Sequence, residues 1–413
     1  MLKKGILFSA LVLFAAPAFA DSFETRYFRG NMSPANENPP VTTEAGSAQA
    51  TITAVARRND AGAIISGTVY YDIDYNLAQP VVFNNMHIHV GGPGVNGPTR
   101  FNAGLGGTNA ISASGQGNIF IVVPSANAND VTALEGLFTN PSGFYVNVHT
   151  SLNPDGMMRD QLQALATPPS PNMLDGSTVS AASFLLHPAP LAPGSIAALF
   201  GKYLNDGPAV GTSSLGLDGR LVTSLGGTQV RVNGVLAPLF FSFFNQLAFQ
   251  IPSELMGFSS ATVQVTVSGR VSAPRTIFLN STAPGIFTAN SSGQGPGVIT
   301  HADGSLVTAQ QPAIPNEVVV VYVTGLGATT LPLATGVPAG SSNLVATPSV
   351  TIGGAQATVL FAGRTPTLVG SDQINVLVPD GTRVANDIVV RVTAGASLSN
   401  QVTLAVESNP FGN

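Results

Sequence analysis

Residues 86–98 read Met86-His87-Ile88-His89-Val90-Gly91-Gly92-Pro93-Gly94-Val95-Asn96-Gly97-Pro98. Side chains alternate in character up to Val90, and then four glycines and two prolines end the pattern. Strict alternation bounded by Gly and Pro is the signature of a strand running into a tight loop. A second such segment, Gly143-Phe144-Tyr145-Val146-Asn147-Val148-His149-Thr150, follows further on, so the two hold three of the five histidines. Because side chains on a strand point alternately to its two faces, His87 and His89 share one face of their strand, and Tyr145, Asn147 and His149 likewise share one face of theirs.

The rest of the chain repeats this texture. It is rich in Gly (45) and Pro (30). Lys and Glu, which favour surface helices, are few. Short Val- and Thr-rich runs lie between Gly, Pro, Asn and Ser, and no long apolar stripe of helical period occurs. The fold class expected is all-β, with three β-sandwich (Ig-like) domains in tandem. Short helices are expected only at Asn129 to Phe138, with Asp130 as cap, and at Ser253 to Gly257.

The N-terminus carries Lys3 and Lys4, an apolar run from Ile6 to Ala16, and Ala18-Phe19-Ala20 before Asp21. That is the charge, core and small-residue pattern of a cleaved secretory signal over residues 1–20, which places the product in the periplasm or outside the cell. The apolar run is short for a membrane span, and no later stretch is longer. With no cysteine, disulfides, thiolate metal sites and cysteine nucleophiles are all excluded. The net charge of -5 becomes more negative once Lys3 and Lys4 are removed, and there is no basic cluster, which argues against nucleic acid or an anionic membrane surface as partner.

Domain boundaries follow from composition and internal repetition. A first domain spans 21–166, and a Pro-rich linker, 167–179, separates it from two related units at 180–282 and 299–407, with a second linker at 283–298. Pro193, Ile196, Phe200 and Leu204 recur as Pro315, Val318, Tyr322 and Leu326. Val230, Val232, Gly234, Ala237 and Phe241 recur as Val350, Ile352, Gly354, Ala357 and Phe361, and Gln246 with Pro252 recurs as Gln373 with Pro379. Ordered matches whose spacing drifts by only a few residues point to a duplication with loop insertions. The alternating runs Gln229 to Asn233, Leu247 to Ile251, Thr262 to Ser268, Ser349 to Gly353, Ile374 to Val378 and Ile388 to Thr393 are the expected strands.

Two resemblances are carried by specific motifs. Asn38-Pro39-Pro40-Val41, His87-Ile88-His89 with the glycine-rich turn, Tyr145 to Thr150, and Asn153-Pro154-Asp155-Gly156 with Arg159-Asp160-Gln161-Leu162 resemble a CHRD domain, the module first described in chordin, over about residues 27 to 165. The resemblance implies an extracellular, immunoglobulin-like or dismutase-like sandwich without an enzymatic role. Met157-Met158 and Asp160 depart from the family pattern in the last hairpin. From 180 to 407 the chain resembles a module common on exported bacterial proteins, through Ala181-Ala182-Ser183-Phe184, Leu225 to Val230, Asn233 to Leu239, Ala283 to Phe287, Thr324-Gly325-Leu326-Gly327 and Asp372-Gln373-Ile374-Asn375. That likeness implies an exported β architecture and no chemistry.

Function is less legible. No Gly-x-Ser-x-Gly, His-Glu-x-x-His or phosphate-loop pattern occurs, so no catalytic residue is proposed. Asp72, Asp74 and Asn76 open like a calcium loop, but Leu77 and Phe83 stand where Gly and Glu belong, which favours a strand face. If the two histidine strands are neighbours, His87, His89 and His149 converge in a pattern that binds copper or zinc, with Met157 or Met158 as a soft ligand. The other readings are that the imidazoles bond to loop carbonyls and fix the Gly-Pro-Gly turn, or that they contact a ligand. His187 and His301 read as isolated loop residues. Leu239 to Phe244 reads as a core strand running into a loop, with a partner-binding patch as the alternative. The expectation is a non-enzymatic binding or surface-interaction protein with an unknown extracellular or cell-surface ligand and no cofactor unless the histidines hold copper or zinc.

Overall fold

A computed structural model of the chain describes residues 21–408 except Ala126, Ser213 and Ser341; the segment read as an export signal lies outside them. The chain forms two compact units that divide between Pro169 and Ser170.

The first unit comprises β1 Ser22–Met32, β2 Gly46–Arg58, β3 Ile64–Val90, β4 Thr99–Asn102, β5 Ile111–Ser125, α1 Ala128–Thr139, β6 Phe144–Thr150, β7 Met158–Gln161 and β8 Gln163–Ala164. Its two layers are halves of one curled sheet. The first part of β3 lies between β2 and β5; beyond an irregularity between Leu77 and Val81, its last residues lie between β4 and β6. β6 pairs with β7, and β8 returns to β1 at Phe28 and Arg29, so the sheet wraps back to its first strand. Phe28, Ile52, Val69 and Tyr71 from one half and Met86, Ile88, Phe101, Val146 and Val148 from the other fill a single core, closed by Leu134, Leu137 and Phe138 of α1. The α1 cap is Asn127 rather than Asp130: Asn127 Oδ1 accepts the Asp130 amide, and Asn127 Nδ2 donates to the Asp130 carboxylate.

The second unit contains two sandwiches. The first has β9 Asn172–Ser180, β10 Ile196–Lys202, β11 Val210–Gly211, β12 Thr228–Val232, β13 Val235–Ala237, β14 Leu239–Ser242, β15 Gln246–Gln250, β16 Ser260–Val267, β17 Arg270–Val271 and β18 Arg275–Phe278. The second has β19 Gly285–Ile286, β20 Ile299–Thr300, β21 Val318–Thr324, β22 Ser349–Ile352, β23 Ala355–Arg364, β24 Asp372–Leu377, β25 Ala385–Ala394, β26 Ser397–Leu398 and β27 Val402–Val406. One layer runs β14-β15-β10-β9 in the first sandwich and β23-β24-β21 with β19 and β20 in the second. The other runs β13-β12-β16 with β17 and β18, and β23-β22-β25 with β26 and β27, so the strand order is the same. The single strand β23 serves both layers of its sandwich, where the first has β13 and β14 separated by Pro238, a residue with no amide hydrogen for a ladder.

Two segments read as linkers are partly strand. From Asn172 the chain pairs with β10, and Gly285 and Ile286 pair with β21. The proline-rich composition of 167–179 concealed the first, since short pairing needs only a few unobstructed amides. Leu239 to Phe244 starts as β14, with Leu239 and Phe244 buried, and Phe241 stacks on Phe243 at 4.5 Å between ring centres.

Candidate metal centre

The pairing of β3 with β6 puts His87 opposite Asn147, His89 opposite Tyr145 and Asn85 opposite His149. Directly opposed residues in an antiparallel pair share a face, so all three imidazoles stand on one side of the sheet. One ring nitrogen from each of His87, His89 and His149 lies within 4.8 Å of the other two. His87 Nδ1 and His149 Nε2 are 3.1 Å apart. Nitrogens on a tetrahedral ion at about 2.0–2.1 Å stand roughly 3.3 Å from one another, so this pair is already at ligand spacing.

Loop carbonyls fix the outer nitrogens. His89 Nδ1 donates to Gly97 O at 2.9 Å, and His149 Nδ1 donates to Pro154 O at 2.8 Å. These bonds leave Nε2 of both rings as the lone-pair nitrogen, and the His149 one faces His87, which is how metal-binding histidines are commonly held. With His149 Nε2 an acceptor, His87 donates to it from Nδ1–H in the metal-free protein; as a ligand through Nδ1 it would carry its proton on Nε2 instead. His89 Nε2 is buried without a partner.

The loops are themselves clamped. Arg159, 3% exposed, donates from Nε to Asn36 O and from Nη1 to Asn96 Oδ1 and Val95 O. Its guanidinium lies 4.5 Å over the Tyr145 ring, and Tyr145 stacks on His89 with 4.8 Å between centres. The Tyr145 hydroxyl accepts the Gly97 amide. A Cβ at Gly97 would fall on the Val90 carbonyl oxygen, so only glycine fits where the loop meets the end of β3. On the other side, Glu44 accepts from Thr150 Oγ1 and Asn153 Nδ2, and so holds the turn that presents Pro154 O.

Burial dominates the electrostatics. It lowers the His87 pKa to about 4, with the neighbouring His149 and His89 adding to the effect, and it lowers His89 and His149 as well. Neutral imidazole is the form that binds metal. Burial raises Glu37 to about 7 against the pull of Arg159.

Other sequence candidates fall elsewhere. Met157 and Met158 are fully buried in the core, so neither is placed as a soft ligand. Asp72 and Asp74 sit on β3, where Asn118 Nδ2 donates to both carboxylates, as a strand face would have it. His187 stacks on Phe278, and His301 bonds to Glu317 and Gln311 O. Glu37 and Glu44 escaped the sequence reading; the available signal was that, in a chain with 9% charged residues, they bracket Pro39-Pro40 as the only acidic residues between Glu24 and Asp60.

Among solved structures, similarity extends to the plexin A4 extracellular region (11% identity, 83% of this chain and 32% of that one, TM-score 0.21). Titin domains I67–I69 give 8% identity over 83% of this chain and 93% of that one, at a TM-score of 0.16. The surface-layer protein SbsC, domains 4–9, gives 12% identity over 92% and 47%, at 0.20. The chain thus spans about a third of the plexin and half of SbsC, and at these TM-scores none of the overlaps bears on function. No curated protein matches the chain. Residues 28–162, which run from β1 through β7 and include all three histidines, match the family model of the CHRD domain.

Proposed function

We propose that the protein is an exported, non-enzymatic binding protein whose CHRD domain holds one copper or zinc ion on His87 Nδ1, His89 Nε2 and His149 Nε2. The supporting observation is the convergence of three imidazoles, buried at His87 and His149 and half-buried at His89, two of them oriented by loop carbonyls through their outer nitrogens. A role limited to fixing loops accounts for the bonds to Gly97 and Pro154, but it leaves His89 Nε2 buried with nothing to bond. Buried polar atoms are seldom left so, and in this reading a metal ion is the partner of this nitrogen. Three nitrogens without a carboxylate suit either metal, and affinity for a given donor set favours copper(II).

Export rests on Lys3, Lys4, the apolar run and Ala18-Phe19-Ala20. No helix among the described residues is long and apolar enough to cross a membrane. In this reading the loops at Gly91 to Asn102 and Thr150 to Arg159 meet an extracellular or cell-surface ligand, and the duplicated sandwiches of the second unit act as spacers.

The test is metal content by inductively coupled plasma mass spectrometry, comparing the purified protein with a His87→Ala/His89→Ala variant. Near-stoichiometric copper or zinc in the first and its loss in the second is the expected result. No metal in either after loading would make the histidines purely structural.

A further inference from the structure

The histidine cluster has a second buried atom without a partner. Asn147 lies between Tyr145 and His149 on the same face of β6, directly opposite His87, and is 3% exposed. Its Nδ2 donates to Glu37 Oε1 at 2.9 Å. Gly156 closes over that end, where a Cβ would lie 2.8 Å from both Asn147 Nδ2 and Glu37 Oε1. Glu37 thereby fixes the amide, because turning it over would set two acceptor oxygens against each other. Asn147 Oδ1 is left buried and unpartnered, on the face that also holds the orphaned His89 Nε2.

We propose that Asn147 positions a fourth, protic ligand on the ion held by the three histidines, with Oδ1 accepting that ligand's hydrogen; the inference rests on the metal reading above. Three imidazoles leave a tetrahedral ion one open position. A ligand that carries an O–H or N–H, water in the resting protein, satisfies the ion with its lone pair and Asn147 with its hydrogen. An aprotic anion such as azide turns its own lone pairs on Oδ1 and is disfavoured. The subsite therefore selects protic ligands over aprotic anions, and Glu37 enforces the selection by holding Nδ2.

The test loads the full-length mature protein with Co(II) and follows the visible spectrum during azide titration. Asn147→Leu, which removes the acceptor, is expected to bind azide about tenfold more tightly than wild type, the effect of relieving one unfavourable polar contact. Glu37→Leu, which frees the amide to present Nδ2, is expected to tighten azide binding too. Glu37→Gln can accept from Nδ2 or donate to Oδ1, so its azide affinity is expected between those of wild type and Glu37→Leu, whereas a merely structural role for Glu37 leaves azide affinity equal in all the folded variants. Equal azide affinities in cobalt-loaded wild type and Asn147→Leu would overturn the subsite and leave the metal site standing. Failure of cobalt, copper and zinc alike to bind wild type would overturn both. Should Asn147→Leu not fold, the comparison of Glu37→Leu with Glu37→Gln decides the matter.

Discussion

Replacing Gly97 by alanine tests whether the loop carbonyls organise the histidine cluster. The added Cβ would overlap the Val90 carbonyl oxygen and come within 2.8 Å of its carbon, both in backbone at the end of β3, so the loop must move. Movement breaks the Gly97 O bond to His89 and the Gly97 amide bond to Tyr145. Two lost hydrogen bonds at about 1 kcal/mol each, together with a second unsatisfied nitrogen on His89, give a loss of roughly 2–4 kcal/mol in the first unit. With its outer nitrogen released, His89 is no longer oriented, and metal affinity is expected to fall about 10–100-fold. Gly92→Ala in the same loop is the control, because nothing lies within 4 Å of its Cβ position. Urea unfolding followed by tyrosine fluorescence, which no tryptophan obscures, measures the first effect. Competition with a chelator measures the second. If Gly97→Ala and Gly92→Ala behave alike in both assays, the loop does not orient the site.

Acid should loosen the metal-free first unit. The histidine pKa values are lowered by folding, so their stabilising contribution is intact above about 6.5 and is lost as pH falls toward 4. The displacement of His87 alone, from 6.5 to about 4, is worth on the order of 2 kcal/mol once solvent screening is allowed for. Glu37 works in the opposite sense, since its raised pKa favours the folded state below about 4.5 and that advantage is lost as pH rises through 7. Unfolding midpoints between pH 7.5 and 4 should therefore drop more steeply in Glu37→Gln than in wild type, and a flat profile in both would contradict the burial of neutral imidazoles. In the second unit, Asp372 is fully buried against Arg364 and accepts the Leu326 amide. Arg364→Met should cost about 3 kcal/mol by stranding that carboxylate, and adding Asp372→Asn should recover part of it in calorimetry.

The sheet face shared by the histidines was readable because alternation is a local property: Met86 to Val90 and Phe144 to Thr150 each sort their side chains without reference to the rest of the chain. Which nitrogen each imidazole offers was not readable, because the answer lies in Gly97 O and Pro154 O. A backbone carbonyl has the same chemistry at every residue, and only the loop path brings it to a ring. The same limit hid the wrapping of the first unit. Nothing in the composition of residues 64–90 says that one strand of 27 residues serves two layers. Alternation set Met86, Ile88 and Val90 on the face opposite the histidines, but it carries no information on how the layers join. Pro238 shows the reverse case: a single residue accounts locally for why one sandwich divides a strand that the other keeps whole.

The loop-fixing and metal-binding readings of the histidines are physically one arrangement. An Nδ1–H bond to a carbonyl both pins the loop and aims the opposite lone pair, so neither function can be tuned without the other. An ion on the three inner nitrogens would tie the Gly97 loop to the Pro154 turn through His89 and His149, with β3 and β6 as the rigid frame. Binding to the folded state alone adds about 2.7 kcal/mol at a free metal concentration a hundred times the dissociation constant. The first unit has no disulfide to hold its end loops, which Arg159 secures through hydrogen bonds and its packing over Tyr145, and Glu44 through hydrogen bonds. Metal occupancy would add a constraint between these two loops, and with it would change how rigidly they are presented to whatever they bind.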